Sequence, residues 1–181
     1  MKNKIKKLCI IPARGGSKRL LGKNVKVLGD KPLIYHTIDT ALGLFDKVIV
    51  TSDSENILQV VKNGYKNYSY ENNTILEISK RPNELATDTS KVIDTVVYYQ
   101  QENKDFEQVW LFLPTCPLRN KKDVINAQNL LSDDIDSVIS ITDYDFPPSL
   151  GLLKGLPRNP LLDNTTPRYD IDRSWNYHPP A

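Results

Sequence analysis

Four short apolar runs, separated by segments with helical spacing, constrain the fold of this chain more than any other feature. The runs are rich in β-branched and aromatic residues, show little polar alternation, and cover residues 8–11, 48–50, 109–113 and 137–141. Runs of this kind are typical of strands that are buried on both faces of a sheet. We therefore predict four strands at the centre of the fold.

The segments between these runs have the apolar spacing of amphipathic helices. One helix is predicted behind Pro32, and a second over about residues 54–63 with Gly64 as its stop. Two more are predicted after Ser90, where the residues also suit a strand, and from Asn120. Strands that alternate with helices predict a mainly parallel sheet with helices on both faces, which is a three-layer α/β fold.

Two regions do not fit this alternation. Residues 65–80 are polar and tyrosine-rich, which indicates an extra hairpin or a mobile insertion. Residues 151–181 hold five of the twelve prolines and show no helical period, which indicates an extended arm or an incomplete dimerisation segment. We therefore expect one α/β domain over residues 1–150, followed by a separate segment over residues 151–181.

Charge and composition exclude several classes of protein. A net charge of +2 over 181 residues is small for a chain that tracks nucleic acid or an acidic membrane surface. The apolar runs are too short for a membrane span or a signal peptide. The two cysteines, Cys9 and Cys116, make neither a disulfide framework nor a metal cluster. We expect a cytoplasmic protein that binds no nucleic acid and no membrane.

Unusual polar sequence follows each predicted strand. These stretches cover residues 13–24, 51–54, 114–119 and 142–148. Parallel α/β sheets carry their binding sites at the carboxyl ends of their strands. The sequence therefore predicts a site at that edge of the sheet.

The first of these stretches belongs to the segment IIPARGGSKRLLGKN, residues 10–24, which carries four cations and no acid: Arg14, Lys18, Arg19 and Lys23. A glycine-rich turn between a strand and a helix lets backbone N–H groups point at one anion, which basic side chains then neutralise. This pattern favours a polyphosphate site over a flexible surface turn with solvated lysines. Its glycine spacing fits neither the P-loop nor the dinucleotide fingerprint, so ATPase, kinase and dehydrogenase functions lose support.

A resemblance to a known family rests on this segment and on five further motifs in consistent order. The motifs are LGDKPLIYHTI, VIVTSDSENI, RPNELATDTS, LPTCPLR and SVISITDYDFPP. Over about residues 5–150 the chain resembles the CMP-N-acylneuraminate cytidylyltransferases, also called CMP-sialic acid synthetases. The resemblance implies a Rossmann-like three-layer sandwich of the nucleotide-diphospho-sugar transferase type. It also implies a Mg²⁺-assisted homodimer that transfers CMP from CTP to a nonulosonic, sialic-acid-like sugar acid and releases pyrophosphate.

The same resemblance assigns nucleotide binding to nine residues of this chain: Arg14, Gly15, Gly16, Ser17, Lys18, Lys23, Asn24, Arg81 and Ser90. Arg14, Lys18 and Lys23 match the cations that hold the triphosphate. Arg14 and Lys23 are the candidate catalytic residues. Asn24 matches a position beside the nucleotide, and Arg81 and Ser90 match positions that line the cytidine pocket.

Some of these residues also have structural interpretations. Arg81 is suited to cap a turn before a proline, and Ser90 to cap the helix that follows it. Asp53 is suited either to assist Mg²⁺ or to cap the next helix. His36 is interpreted as a packing or surface residue rather than a base.

The chain departs from the family's pattern in two places. Leu113 replaces a glutamine that many relatives use at the sugar site, which leaves Thr115 and Arg119 as the candidate sugar-binding residues. The carboxylate segment that relatives use for metal is expected to be missing with the C-terminal part, and Asp170 and Asp172 are not assigned to it. The metal ligands therefore stay unknown. A catalytically impaired nucleotide-binding module, or a cytidylyltransferase for a different sugar acid, remains an alternative.

Overall fold

The structure is a computed structural model that describes residues 5–17, 20–68 and 73–140. It contains six strands: β1 (Lys7–Pro12), β2 (Val27–Leu28), β3 (Lys31–Pro32), β4 (Lys47–Ser52), β5 (Ile75–Lys80) and β6 (Gln108–Leu111). Four of them form one parallel sheet in the order β5-β4-β1-β6. The short strands β2 and β3 pair separately as an antiparallel ribbon.

The four α-helices confirm the helices expected from the spacing: α1 (Leu33–Ala41), α2 (Glu55–Gly64), α3 (Val92–Glu102) and α4 (Lys121–Leu130). Two short 3-10 helices cover Lys23–Val25 and Asn83–Leu85. Asn120 caps α4 as expected, because its side-chain oxygen accepts a hydrogen bond from the Asp123 N–H at 2.9 Å. In the described part of the chain, no helix is long and apolar enough to cross a membrane.

The helices cover both faces of the sheet, which confirms the three-layer architecture. On one face, Cys9 and Ile11 of β1 pack with α1, α2 and α4 in the larger buried cluster. On the other face, Leu8 and Ile10 pack with Tyr99 of α3. All four of these β1 side chains are fully buried, so β1 is covered on both faces as its apolar run predicts.

The structure corrects two expectations. Within residues 65–80, an edge strand of the main sheet, β5, replaces the expected hairpin or mobile insertion. Over residues 137–140 there is no strand, although the apolar run there predicts one, and the Ile139 side chain is 80% exposed. The expected domain boundary at residue 150 and the segment 151–181 lie outside the described residues.

Candidate functional site

The carboxyl ends of β1, β4 and β5 bring three loops to one edge of the sheet. Residues 13–24 follow β1, Asp53 follows β4, and Arg81 follows β5. The Ala13 N–H donates to Thr51 O at 2.9 Å, and the Arg81 N–H donates to Ser52 O at 2.8 Å. The parallel pairing thus continues beyond the strands and fixes where the three loops begin.

Gly15 makes the closest approach between two of these loops. Its N–H donates to Asp53 Oδ1 at 2.9 Å. A Cβ on Gly15 would lie 2.6 Å from the Cβ of Ser54, whereas a Cβ on Gly16 would meet nothing closer than 3.9 Å. Glycine is therefore required at position 15 by the close approach to the chain after β4. The Gly15 N–H, expected to face phosphate, is already used by a carboxylate.

Arg14 is held by three acceptors. Its Nη1 donates to Thr87 O at 3.0 Å and pairs with Asp88 Oδ1 at 3.0 Å, and its Nη2 donates to Gly16 O at 3.1 Å. The Arg14 side chain is only 24% exposed. An arginine fixed by several acceptors loses little further freedom when it binds an anion.

Asn24 and Lys23 occupy the short 3-10 helix at the end of this loop. The helix follows Gly22, whose φ of 63° is in the left-handed region that favours glycine. Asn24 is buried, and its Nδ2 donates to Arg14 O at 3.0 Å, so its side chain supports the backbone of the loop. The ammonium group of the partly buried Lys23 has no hydrogen bond or ion pair with any residue that the structure describes, which leaves it available to an anion.

Arg81 is a buried cation behind the loop. It is 5% exposed, and its Nη2 donates to Thr51 O at 2.9 Å. Burial lowers the pKa of the Arg81 guanidinium, and the nearby Asp53 carboxylate opposes that shift. The Nε of Arg81 has no hydrogen-bond partner among the described residues, although it is buried. A buried N–H without an acceptor is costly, so this atom is suited to meet a ligand oxygen.

Ser90 organises the loop that reaches Arg14. Its hydroxyl donates to Glu84 O at 2.6 Å and accepts from the Thr87 N–H at 3.2 Å, while its N–H donates to Thr87 Oγ1 at 3.1 Å. The interpretation of Ser90 as the cap of α3 is wrong, because the residue at the helix cap is Lys91. Ser90 instead fixes the turn that carries Thr87 O.

The candidate sugar-binding residues do not join this group. Thr115 is exposed. The Arg119 guanidinium lies over the Phe112 ring at 4.1 Å, and the Arg119 carbonyl accepts from Thr40 Oγ1 at 3.2 Å. These contacts tie Arg119 to α1 and the buried cluster rather than to the loop after β1. Their roles at the sugar site stay predictions.

The remaining expectations concern His36, Ser17, residues outside the described ranges and the metal site. His36 is partly buried, and its Nε2 lies 2.9 Å from Leu28 O, consistent with a packing or surface residue. Ser17 donates its N–H to Gly15 O at 2.8 Å. Lys18, Asp170 and Asp172 lie outside the described residues. Across the described ranges, no three acidic, histidine or cysteine side chains form a group that could hold a metal ion.

The described site therefore places three cations, Arg14, Lys23 and Arg81, around loops that carry few acids. The Gly15 N–H donates to Asp53, and the Arg14 guanidinium pairs with Asp88, so both acids are engaged by the loop after β1. The contacts of Thr87 and Asp88 with Arg14 were not predicted from the sequence. The only signal for it was the polar composition of the stretch RPNELATDTS.

A sequence model of the family described as Cytidylyltransferase matches residues 8–109, which contain β1 through the start of β6. This chain belongs to the cytidylyltransferase family. The match includes Arg14, Asn24, Asp53 and Arg81, so the loops that form the site lie inside the family's own region.

Individual relatives agree with this assignment. The chain is 36% identical over 148 residues to the CMP-N,N'-diacetyllegionaminic acid synthase of Legionella pneumophila, with 78% of this chain and 60% of that protein covered. It is 35% identical over 191 residues to the N-acylneuraminate cytidylyltransferase of Escherichia coli, with 99% and 41% covered. The chain thus spans about half the length of the curated relatives it matches.

A solved structure agrees with the fold. The CMP:2-keto-3-deoxy-manno-octonic acid synthetase, determined in complex with CTP, superposes with a TM-score of 0.51 at 22% sequence identity. The superposition covers 68% of this chain and 46% of that one. At this identity the likeness supports the nucleotidyltransferase fold and does not transfer individual residues.

Proposed function

We propose that this cytidylyltransferase chain carries the nucleotide site of an enzyme that transfers CMP from CTP to a nonulosonic sugar acid. The products are the CMP-sugar and pyrophosphate. The observation that carries the proposal is the meeting of a glycine loop, two accessible cations and the buried Arg81 at one edge of the sheet. Relatives named for sialic and legionaminic acids support the substrate class.

In the proposed reaction, the anomeric hydroxyl of the sugar acid attacks the α-phosphorus of CTP. A bond forms between the anomeric oxygen and the α-phosphorus, the bond from that phosphorus to pyrophosphate breaks, and the hydroxyl proton passes to water. Phosphoryl chemistry of this kind depends on positioning and on neutralising the phosphate charge. Arg14 and Lys23 are placed for that task, because Arg14 is held in one orientation and Lys23 is unpaired among the described residues.

Backbone and neutral groups complete the proposed nucleotide site. The Gly15 N–H is used by Asp53. The Gly16 N–H is the backbone donor for phosphate, because no described residue accepts from it. Asn24 fixes the loop through the Arg14 carbonyl. The unpaired Nε of Arg81 is suited to an oxygen of the cytidine.

Mg²⁺ is part of the proposal. Asp53 contacts the loop through the Gly15 N–H, and one of its two oxygens is not used by that contact. Magnesium is commonly held by one or two carboxylates together with substrate phosphates, so a single aspartate fits this mode. When bound, the ion would neutralise charge on the phosphates, and Asp53 would hold it.

A homodimer in the cytoplasm also belongs to the proposal. The family resemblance supports the dimer, and the two free cysteines, Cys9 and Cys116, fit a reducing compartment. Size-exclusion chromatography with light scattering measures the association state directly.

The experiment is pyrophosphate release from CTP, measured over a panel of sialic, legionaminic and pseudaminic acids with and without Mg²⁺. We expect one acid to give CMP-sugar, identified by mass spectrometry, and no turnover with ATP. CTP binding without turnover in this chain and in a longer gene product would favour a nucleotide-binding module. Absence of both binding and turnover would overturn the proposal.

A further inference from the structure

The loop after the second 3-10 helix holds the guanidinium of Arg14 across a long sequence separation. Thr87 O accepts from Arg14 Nη1 at 3.0 Å, and Asp88 Oδ1 forms an ion pair with the same nitrogen at 3.0 Å. The Thr87 carbonyl is itself fixed by the turn that Ser90 closes. The position of Arg14 is therefore set by residues that follow β5, although Arg14 belongs to the loop after β1.

The donors of Arg14 divide into two groups. A guanidinium has five N–H donors. Nη1 donates to Thr87 O and pairs with Asp88, Nη2 donates to Gly16 O, and no other described residue accepts from Arg14. The donors that remain are available to a phosphate, while these contacts keep the plane of the group fixed.

We infer that Asp88 is a positioning residue, which orients Arg14 for the triphosphate of CTP. The inference rests on the proposed function and extends it to a residue that touches no reacting atom. The ion pair with Arg14 is half exposed, since the Asp88 side chain is 52% accessible. Pairs of this kind contribute little to stability, so the value of the contact lies in orientation rather than in holding the fold together.

Simple electrostatics predicts the opposite result for removal of Asp88. A carboxylate near a bound triphosphate repels it, so loss of the charge alone would tighten CTP binding. If orientation dominates, loss of the acceptor weakens CTP binding instead. The sign of the change therefore separates a positioning residue from a counterion that CTP must displace.

The test is calorimetric titration of CTP into the 181-residue chain and five variants. We expect Asp88→Ala to raise the Kd about fivefold, the scale of coupling between contacting residues. Asp88→Asn keeps an acceptor oxygen and should stay within about twofold of wild type. Glu84→Ala is the matched control, because Glu84 is an exposed acid of the preceding 3-10 helix and its side chain does not pair with Arg14. It should leave the Kd unchanged.

The decisive comparison adds Arg14→Ala. If Asp88 acts through Arg14, Asp88→Ala should cause no further weakening in the Arg14→Ala background. Tighter binding by Asp88→Ala, or equal weakening in both backgrounds, would overturn the inference alone. A wild-type chain that binds no CTP would overturn the proposed function and the inference with it. Thermal unfolding of each variant verifies that the fold is retained.

Discussion

The chain after β1 and the chain after β6 leave adjacent strands at the same edge of the sheet, yet they are held very differently. Gly15 and Arg14 contact residues from two distant loops, and Asn24 supports the Arg14 backbone. After β6, backbone hydrogen bonds within residues 113–119 form local turns, and Leu118 is 90% exposed. The first region is held by contacts to two other loops of the site, whereas the second forms local turns and is anchored through Arg119 to α1 and Phe112.

This difference teaches that position at a strand end is not sufficient for a site. Both stretches are polar, and they follow neighbouring strands, the buried β1 and the partly buried β6. Only the loop after β1 donates hydrogen bonds to the loops after β4 and β5. In the strand order β5-β4-β1-β6, β4 is the neighbour of β1 and β5 the next strand, so their loops lie beside it. The predictions below test this contrast.

The largest effect is expected for Gly15→Ala. The new Cβ would lie 2.6 Å from the Ser54 Cβ, so the loop must shift, at a cost of about 2 kcal/mol in the free energy of unfolding. CTP binding should be lost with the Gly15–Asp53 contact. Gly16→Ala is the control, with open space around its Cβ. Equal losses for both variants, measured by urea unfolding, would show that the close approach to Ser54 is unimportant.

A smaller effect on binding alone is expected for Lys23→Ala. The ammonium group has no partner among the described residues, so its removal should leave the fold intact. Loss of a charged hydrogen bond to phosphate should weaken CTP binding by about tenfold. Lys26→Ala, in an exposed position three residues on, is the control in the same calorimetric titration. Comparable weakening by both lysine variants would mean that only the net charge of the loop matters.

The fold could be predicted largely from the sequence, because buried strands and amphipathic helices have distinct periods. β5 was missed for a physical reason. It is an edge strand in which a polar residue has a structural role, because Glu77 pairs with Lys47 of β4 at 2.7 Å. Such an edge needs few apolar residues, so its sequence resembles a polar insertion. The run at 137–141 fails in the opposite way, since an apolar β-branched pattern cannot reveal whether a strand partner exists.

The site could be predicted in part. The cations and glycines of the loop after β1 are visible because they are unusual in composition. The contact from Arg14 to Thr87 joins residues 73 positions apart, and a single sequence carries no signal for such a pairing. The glycine at position 15 was assigned to phosphate, whereas its N–H meets Asp53, because loop geometry decides which way each amide points.

A modest loss of stability is expected for Tyr99→Phe. The Tyr99 hydroxyl is buried between Thr51 Oγ1 at 2.7 Å and Ser79 Oγ at 2.9 Å, beneath the end of β4. Removing it should reduce the free energy of unfolding by about 1 kcal/mol. Tyr98→Phe on the same helix, which loses only a surface contact with Glu102, should change stability less. A reversed order in thermal unfolding would contradict the role given to the buried network.

The smallest expected effect is a difference in thiol reactivity between a cysteine in β1 and a cysteine in the segment after β6. Cys9 is buried in β1, and burial raises the pKa of its thiol well above the usual value, while Cys116 in the segment after β6 is exposed. A disulfide reagent at pH 8 should label Cys116 rapidly and Cys9 only after unfolding, because the reactive species is the accessible thiolate. Mass spectrometry of the labelled peptides gives the result. Rapid labelling of Cys9 in the folded chain would show that β1 is not buried as described.

The most direct test of the central claim, a CTP site formed by the loops after β1 and β5, is a comparison of CTP with ATP in calorimetric titrations of wild type and Arg81→Met. We predict saturable binding of one CTP per chain and weaker binding of ATP in the wild type. In the variant, we expect the preference for CTP over ATP to be lost. No saturable CTP binding, or equal affinity for the two nucleotides in the wild-type chain, would contradict it.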